Sequence, residues 1–269
     1  MPGVEGRSAS EYDDEVRLPT YKWFGEGADL FAGKDVLDLG SGYGGRTVRF
    51  KEYGAESVVG VEINERLTDA GEVWAAERGA RGVTFRVGTG EAIPADDASF
   101  DLAVMVDVME HVVDPSRVMG ELHRVLRPSG QAAIVFPPYY ALRGGSHLHG
   151  YATTFPGLNL LFRTSTLRRA TARYLDERGV DWRSHFRNVP SDKLWTQNGL
   201  TVRGFLRLAE RYGFARNRIR LTSHFENRKL AQGLSRREAA SYAVFRALAQ
   251  PPVLREAFCE RVCALITKP

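Results

Sequence analysis

The stretch that most constrains this chain is Val36-Leu37-Asp38-Leu39-Gly40-Ser41-Gly42-Tyr43-Gly44-Gly45. An apolar run of strand character gives way to a glycine-rich turn, and helix-compatible residues follow over 46–50. A chain that reverses this tightly where a buried strand ends leaves main-chain N–H groups open at a helix N-terminus. Glycine lets a ligand approach those groups without a Cβ in the way. Gly40, Gly42 and Gly45 also satisfy the spacing G-x-G-x-x-G, so the turn by itself suits a dinucleotide as well as other nucleotide-like ligands.

The flanking residues predict repeated alternation. Strands are expected over 35–39, 57–61, 83–87, 100–106 and 131–136, with helices over 44–53, 66–78 and 115–126. Val118, Met119, Leu122, Val125 and Leu126 mark the apolar face of the last helix, and Arg127-Pro128-Ser129-Gly130 reads as a stop before the fifth strand. Strands and helices at this spacing imply right-handed βαβ units and a parallel sheet covered on both faces, with ligands bound beyond the carboxyl ends of the strands. The expected fold class is therefore α/β, a Rossmann-like doubly wound sheet with a helical insertion or lid. Four regions are expected: an N-terminal arm and helix (1–33), a core (34–138), an insertion or lid (139–199), and a completion of the core (200–269) with a helical insertion near 227–260. The polar segment 1–20 is expected to be partly ordered and folded over a ligand through Tyr12 or Tyr21.

With 269 residues, 43% of them hydrophobic, the chain can bury one large core. It contains no apolar run long enough to span a bilayer, and its first residues lack the apolar stretch of a secretory signal, so a cytoplasmic enzyme with no membrane partner is expected. The net charge is +4. The basic residues between Arg163 and Arg237 are interspersed with acids rather than gathered in a run, so no nucleic-acid partner is expected. Phe136-Pro137-Pro138-Tyr139 also carries Phe where an enzyme acting on a flipped base would place an amide or acid. Cys259 and Cys263 lie four apart in a stretch that reads as helix. That spacing suits neither a disulfide nor a zinc site, and both are expected as small core residues.

Five segments in order carry a resemblance: VLDLGSGYGG (36–45), VVGVEIN (58–64), VGTGEAIPADDASFDLAV (87–104), DVMEHV (107–112) and LHRVLRPSGQAAIVFPP (122–138). Together they resemble the class I S-adenosylmethionine-dependent methyltransferases, in particular the small-molecule group of the UbiE/UbiG type, methyltransferase type 11. The resemblance implies a seven-stranded, mostly parallel sheet with an antiparallel last strand, S-adenosylmethionine as cofactor, and a small-molecule acceptor. Gly40, Ser41, Gly42 and Gly44 would form the close-approach turn. Asp38 would organise the cofactor's ammonium, Glu62 would accept from both ribose hydroxyls, and Ile63 would lie against the adenine. Thr89, Gly90 and Glu91 stand where the family usually has Asp then Ala at the adenine edge. Asp107 and Val108 would run along the cofactor.

His111 is the first candidate for a general base, because it titrates near neutrality and the resemblance puts it near the transferred methyl. His147 and His149 are alternative candidates, and Tyr139 could orient an acceptor. Asp107, Glu110 and His111 with the two loop histidines raise the question of an N/O metal site, but the expected state is no metal. The insertion over 146–162 resembles that of bacterial methyltransferases linked to polysaccharide or sugar modification. The expected acceptor atom is thus an oxygen, in preference to nitrogen, on a sugar or secondary metabolite. Two rivals are an NAD(P)-dependent oxidoreductase, suggested by the glycine spacing and Glu62 but lacking a Tyr-x-x-x-Lys arrangement, and a non-catalytic cofactor-binding regulatory module, suggested by Thr89. A homo-oligomer is compatible with this sequence.

Overall fold

The computed structural model describes residues 4–142, 156–179, 198–223 and 226–269. The chain opens with helix α1 (Val4–Arg17), a one-turn α2 (Tyr21–Phe24) and a single 3-10 turn at Ala28–Leu30. The alternation follows: β1 (Asp35–Leu39), α3 (Gly45–Glu52), β2 (Ser57–Glu62), α4 (Glu65–Glu77), β3 (Val83–Val87), β4 (Phe100–Val106), α5 (Pro115–Val125) and β5 (Leu126–Phe136). Among the described residues the insertion contains α6 (Leu158–Leu161) and α7 (Thr164–Glu177). The core is completed by α8 (Val202–Arg211), β6 (Ala215–Thr222), the helices α9 (Glu226–Gln232), α10 (Arg236–Leu248) and α11 (Pro252–Phe258), and β7 (Arg261–Thr267).

The seven strands form one sheet in the order β3-β2-β1-β4-β5-β7-β6, and β7 runs antiparallel to both its neighbours. Alternation of side chains builds a core on each face. Leu37, Met105, Ile134 and Ala264 face α5 and α8, where they meet Met119, Leu122 and Phe205. Val36, Val104, Val135 and Leu265 face the other way, onto Trp23, Phe24, Phe31 and Phe50. Local signals set the helix starts: Asp114 accepts from the Ser116 and Arg117 amides with Pro115 in the first turn of α5, and Asn64 accepts from the Arg66 amide at α4.

The structure corrects four expectations. Residues 4–17 are a 14-residue helix rather than a partly ordered arm. Tyr12 stands edge-on to Trp74 and donates to Glu52, and Tyr21 packs on Tyr53, so both aromatics belong to the framework. The Arg127–Gly130 stretch is part of β5, because a register shift between β4 and β5 and a positive φ at Ser129 absorb it as a bulge. Arg127 there binds Asp101 (2.6 Å) and Asp35 (2.9 Å), tying three strands together at the amino end of the sheet. The cysteines do not share a helix: Cys259 follows α11 and packs on one face of the sheet, whereas Cys263 lies in β7 and packs on the other. Both are buried and free.

Part of the basic charge is also structural. In β6, Arg218 donates to the Phe24 carbonyl and Arg220 to those of Lys22 and Trp23, so two strand cations close the carboxyl end of α2. No helix among the described residues is long and apolar enough to cross a membrane.

Candidate functional site

At the end of β1 the Gly40 amide donates to the Val61 carbonyl (2.7 Å), which pins the turn to β2. Gly40 and Gly42 have φ of +80° and +55°, the left-handed region that glycine adopts without strain. A Cβ on Gly40 would stand 2.2 Å from Val108 Cγ2, and one on Gly44 would stand 2.6 Å from Gly71 Cα. The turn is therefore in close contact with the segment after β4 and with α4. Ser41 is buried at its centre, and its hydroxyl has no hydrogen-bond partner among the described residues.

Carboxyl groups surround this turn. Asp38, at 2% exposure, accepts from the Thr47 hydroxyl (2.7 Å), and burial pushes its carboxyl above the usual range against the pull of Arg46. Glu62 accepts from the Gly42 (3.2 Å) and Asn64 (3.1 Å) amides, and burial raises it as well. Ile63 is half-buried beside it, and its amide also faces the Glu62 carboxyl. From α1, Glu11 accepts from the Tyr43 (3.1 Å) and Gly45 (3.2 Å) amides, and burial carries it to about 7. Glu15 accepts from the amide and hydroxyl of Thr20 and lies 3.6 Å from Arg46.

Beyond β4, Asp107 takes a positive φ of 56° and pairs with Arg261 at the start of β7, whose guanidinium also lies 5.7 Å from the Trp23 ring centroid. Glu110 is buried with one carboxylate oxygen unpartnered among the described residues. Burial, reinforced by the Asp107 charge, holds its carboxyl well above the usual range. His111 is exposed, with Nε2 3.8 Å from Glu110 Oε1. A cavity of about 420 Å³ opens against Asp107 and is walled by Thr20, Trp23, Arg46 and Arg261, with residues of α1 and α9 completing it.

The remaining expected residues that the structure describes lie on other segments. Thr89 is half-buried and pairs with Ala92 in an isolated bridge, and Gly90 is buried where a Cβ would meet Val118 at 3.1 Å. The Glu91 carboxylate accepts from the Val113 and Asp114 amides, so it braces the approach to α5. Tyr139 is buried after β5, stacked edge-on with Tyr140, and its carbonyl accepts from Asn159 of the insertion. His147 and His149 lie outside the described residues. Among the described residues no group of three or more His, Cys, Asp or Glu side chains could hold a metal ion.

The family described as "Methyltransferase domain" matches residues 37–134, the span from β1 to β5 that builds this site. The chain carries a methyltransferase domain over residues 37–134. The "Uncharacterized methyltransferase YcgJ" of Bacillus subtilis is 30% identical over 138 residues, covering 48% of this chain and 52% of that protein. The chain thus spans about half the length of the curated relatives it matches. A solved S-adenosylmethionine-dependent methyltransferase from Mesorhizobium loti aligns with a TM-score of 0.57 at 19% identity, over 98% of this chain and 100% of the other. The [4+2]-cyclase SpnF aligns similarly, with a TM-score of 0.55 at 16% identity over 95% and 81% of the two chains. The fold thus extends across nearly the whole chain, and one fold of this kind hosts more than one chemistry.

The residues around the turn are chemically compatible with S-adenosylmethionine: a buried Ser41 hydroxyl without a partner among the described residues, backbone at Gly40 and Gly42 that a Cβ would strain, and buried acids suited to a ligand with a cationic head and a diol. Glu11, Arg46, Trp23 and Arg261 were not singled out from the sequence. Arg46 directly follows the turn and could have been. The other three reach the site only through tertiary packing.

Proposed function

We propose that the protein transfers a methyl group from S-adenosylmethionine to an oxygen of a small molecule, in preference to a nitrogen. The observation that carries the reading is the set of buried carboxyls, Asp38 and Glu62 foremost, around a glycine turn with an unpartnered Ser41 hydroxyl. Asp38 would hold the ammonium, Glu62 the ribose hydroxyls, Thr89 and Gly90 the adenine edge, and Asp107 and Val108 the length of the cofactor between them. When bound, the cofactor supplies an electrophilic methyl on a sulfonium.

The chain's own residues then have to position a nucleophile and remove its proton. His111, exposed beyond β4, is the candidate base for an oxygen acceptor. Tyr139 and the cavity walls Trp23 and Arg261 would orient the acceptor, and the insertion over 139–199 would choose it. A sugar or secondary metabolite suits these polar and aromatic walls.

The test is transfer of a labelled methyl to a panel of hydroxyl and amine acceptors, with His111→Ala beside the wild type. The reading expects labelled hydroxyl products and a His111→Ala variant that keeps cofactor affinity while losing turnover. Cofactor binding with no transfer to any acceptor would favour a binding module instead.

A further inference from the structure

The cofactor and its demethylated product differ by one methyl group and one positive charge, while the ammonium, ribose and adenine are common to both. A fixed negative charge in a poorly solvated part of the site therefore distinguishes them, and hydrogen bonds to the shared groups do not. Of the acids around the turn, Asp38 is engaged by the Thr47 hydroxyl, and Glu62, at the end of β2, by the Gly42 and Asn64 amides. Glu11 comes from outside the sheet. Its carboxylate is laid across the turn by the Tyr43 and Gly45 amides, with Oε1 2.6 Å from where a Cβ on Gly42 would be. The neighbouring Ser8 hydroxyl donates to the Tyr43 carbonyl (2.8 Å), so α1 is docked on the loop through polar bonds at two successive turns.

We propose that Glu11 is a specificity-determining residue of the cofactor site, and that its carboxylate makes the site favour the sulfonium form over the neutral thioether product. The inference rests on the cofactor reading above. Its physical basis is an imbalance of charge: among the described residues the charged groups that act on Glu11 are Arg46 from α3 and Asp38 from β1, and Arg46 is shared with Glu15. The buried acids thus outnumber the cation that serves them, and a bound sulfonium would relieve the imbalance. Burial sets the Glu11 carboxyl near neutrality, so cation binding displaces its proton, which passes to the buffer.

The experiment is isothermal titration at neutral pH of S-adenosylmethionine and of its demethylated product, in phosphate and in Tris, whose ionisation heats differ. Wild type, Glu11→Gln and Glu11→Asp are compared, with thermal melts recording that each is folded. The wild type is expected to release more protons with the sulfonium form than with the thioether. Glu11→Gln should abolish that difference and shift the affinity ratio about tenfold toward the product, and Glu11→Asp, which keeps the charge, should restore most of both. Equal weakening of the two ligands, or an unchanged ratio in a folded Glu11→Gln, overturns the inference while leaving the cofactor reading intact. Failure of both ligands to bind the wild type overturns the two together.

Discussion

Replacing Gly40 by alanine probes the contact on which the site is built. Two separable penalties are expected. The left-handed φ of +80° disfavours any Cβ, by about 1–2 kcal/mol. The new methyl would also stand 2.2 Å from Val108 Cγ2, and forcing that side chain aside costs about 1–3 kcal/mol more. Gly40→Ala should therefore lose about 2–5 kcal/mol, within the stability of an ordinary domain, so the variant is measurable. Val108→Ala alone removes two half-buried methyls, at about 1–2 kcal/mol. In the double variant the nearest remaining atom is the Cβ of position 108, at 3.3 Å, so most of the overlap is relieved while the backbone penalty stays, and the two changes should couple favourably by about 1–3 kcal/mol. Urea unfolding followed by the fluorescence of the four tryptophans gives all four corners of the cycle. Additivity within about 0.5 kcal/mol would refute the contact between the turn and the segment after β4.

Three further outcomes are expected. Arg220→Ala should destabilise by about 3–5 kcal/mol, because it strands the buried Glu226 and uncaps α2, whereas Arg218→Ala, at a half-exposed site, should lose about 1 kcal/mol. Unfolding curves that rank them the other way would contradict this. Cys259 and Cys263 should resist thiol reagents in the folded protein and react once it is unfolded, since burial raises both thiols, Cys263 to about 12; rapid labelling under native conditions would show the packing to be wrong. Glu11 is raised in the fold from 4.5 to about 7, so its protonated form stabilises fully below pH 4.5 and that contribution is lost as the pH rises to about 7. Without ligand, Glu11→Gln should therefore gain stability relative to wild type across that window, by on the order of 3 kcal/mol, and a pH-independent difference would refute the assignment.

The sheet was legible because its signals are local and apolar. Strand runs such as Val36–Leu39 and Leu102–Met105 alternate with helices whose apolar residues recur on one face, and Gly40 to Gly44 mark the turn by the lack of side chains. What was missed is polar or long-range. Helix α1 has few apolar residues and docks through Ser8, Glu11, Tyr12 and Glu15, so no hydrophobic periodicity announces it. The alternating Arg218 and Arg220 of β6 read as solvated charge until α2 is brought against them. Pro128 and Gly130 are strong local stop signals, yet pairing with the end of the chain, Ser129 to Lys268 and Lys268 to Gly130, keeps them in the strand. Asp107 meets Arg261 across 154 residues of sequence, a contact that only the antiparallel placement of β7 creates.

In the proposed function Asp38, the glycine turn and Glu62 together hold S-adenosylmethionine. Titrating the cofactor into wild type and Glu62→Ala tests it most directly. Saturable one-to-one binding is expected in the wild type, with affinity lower by about a hundredfold in the variant, which loses charged hydrogen bonds worth about 1.5–3 kcal/mol each. Absence of binding to the wild type at millimolar cofactor, or equal affinity in the two proteins, would contradict it.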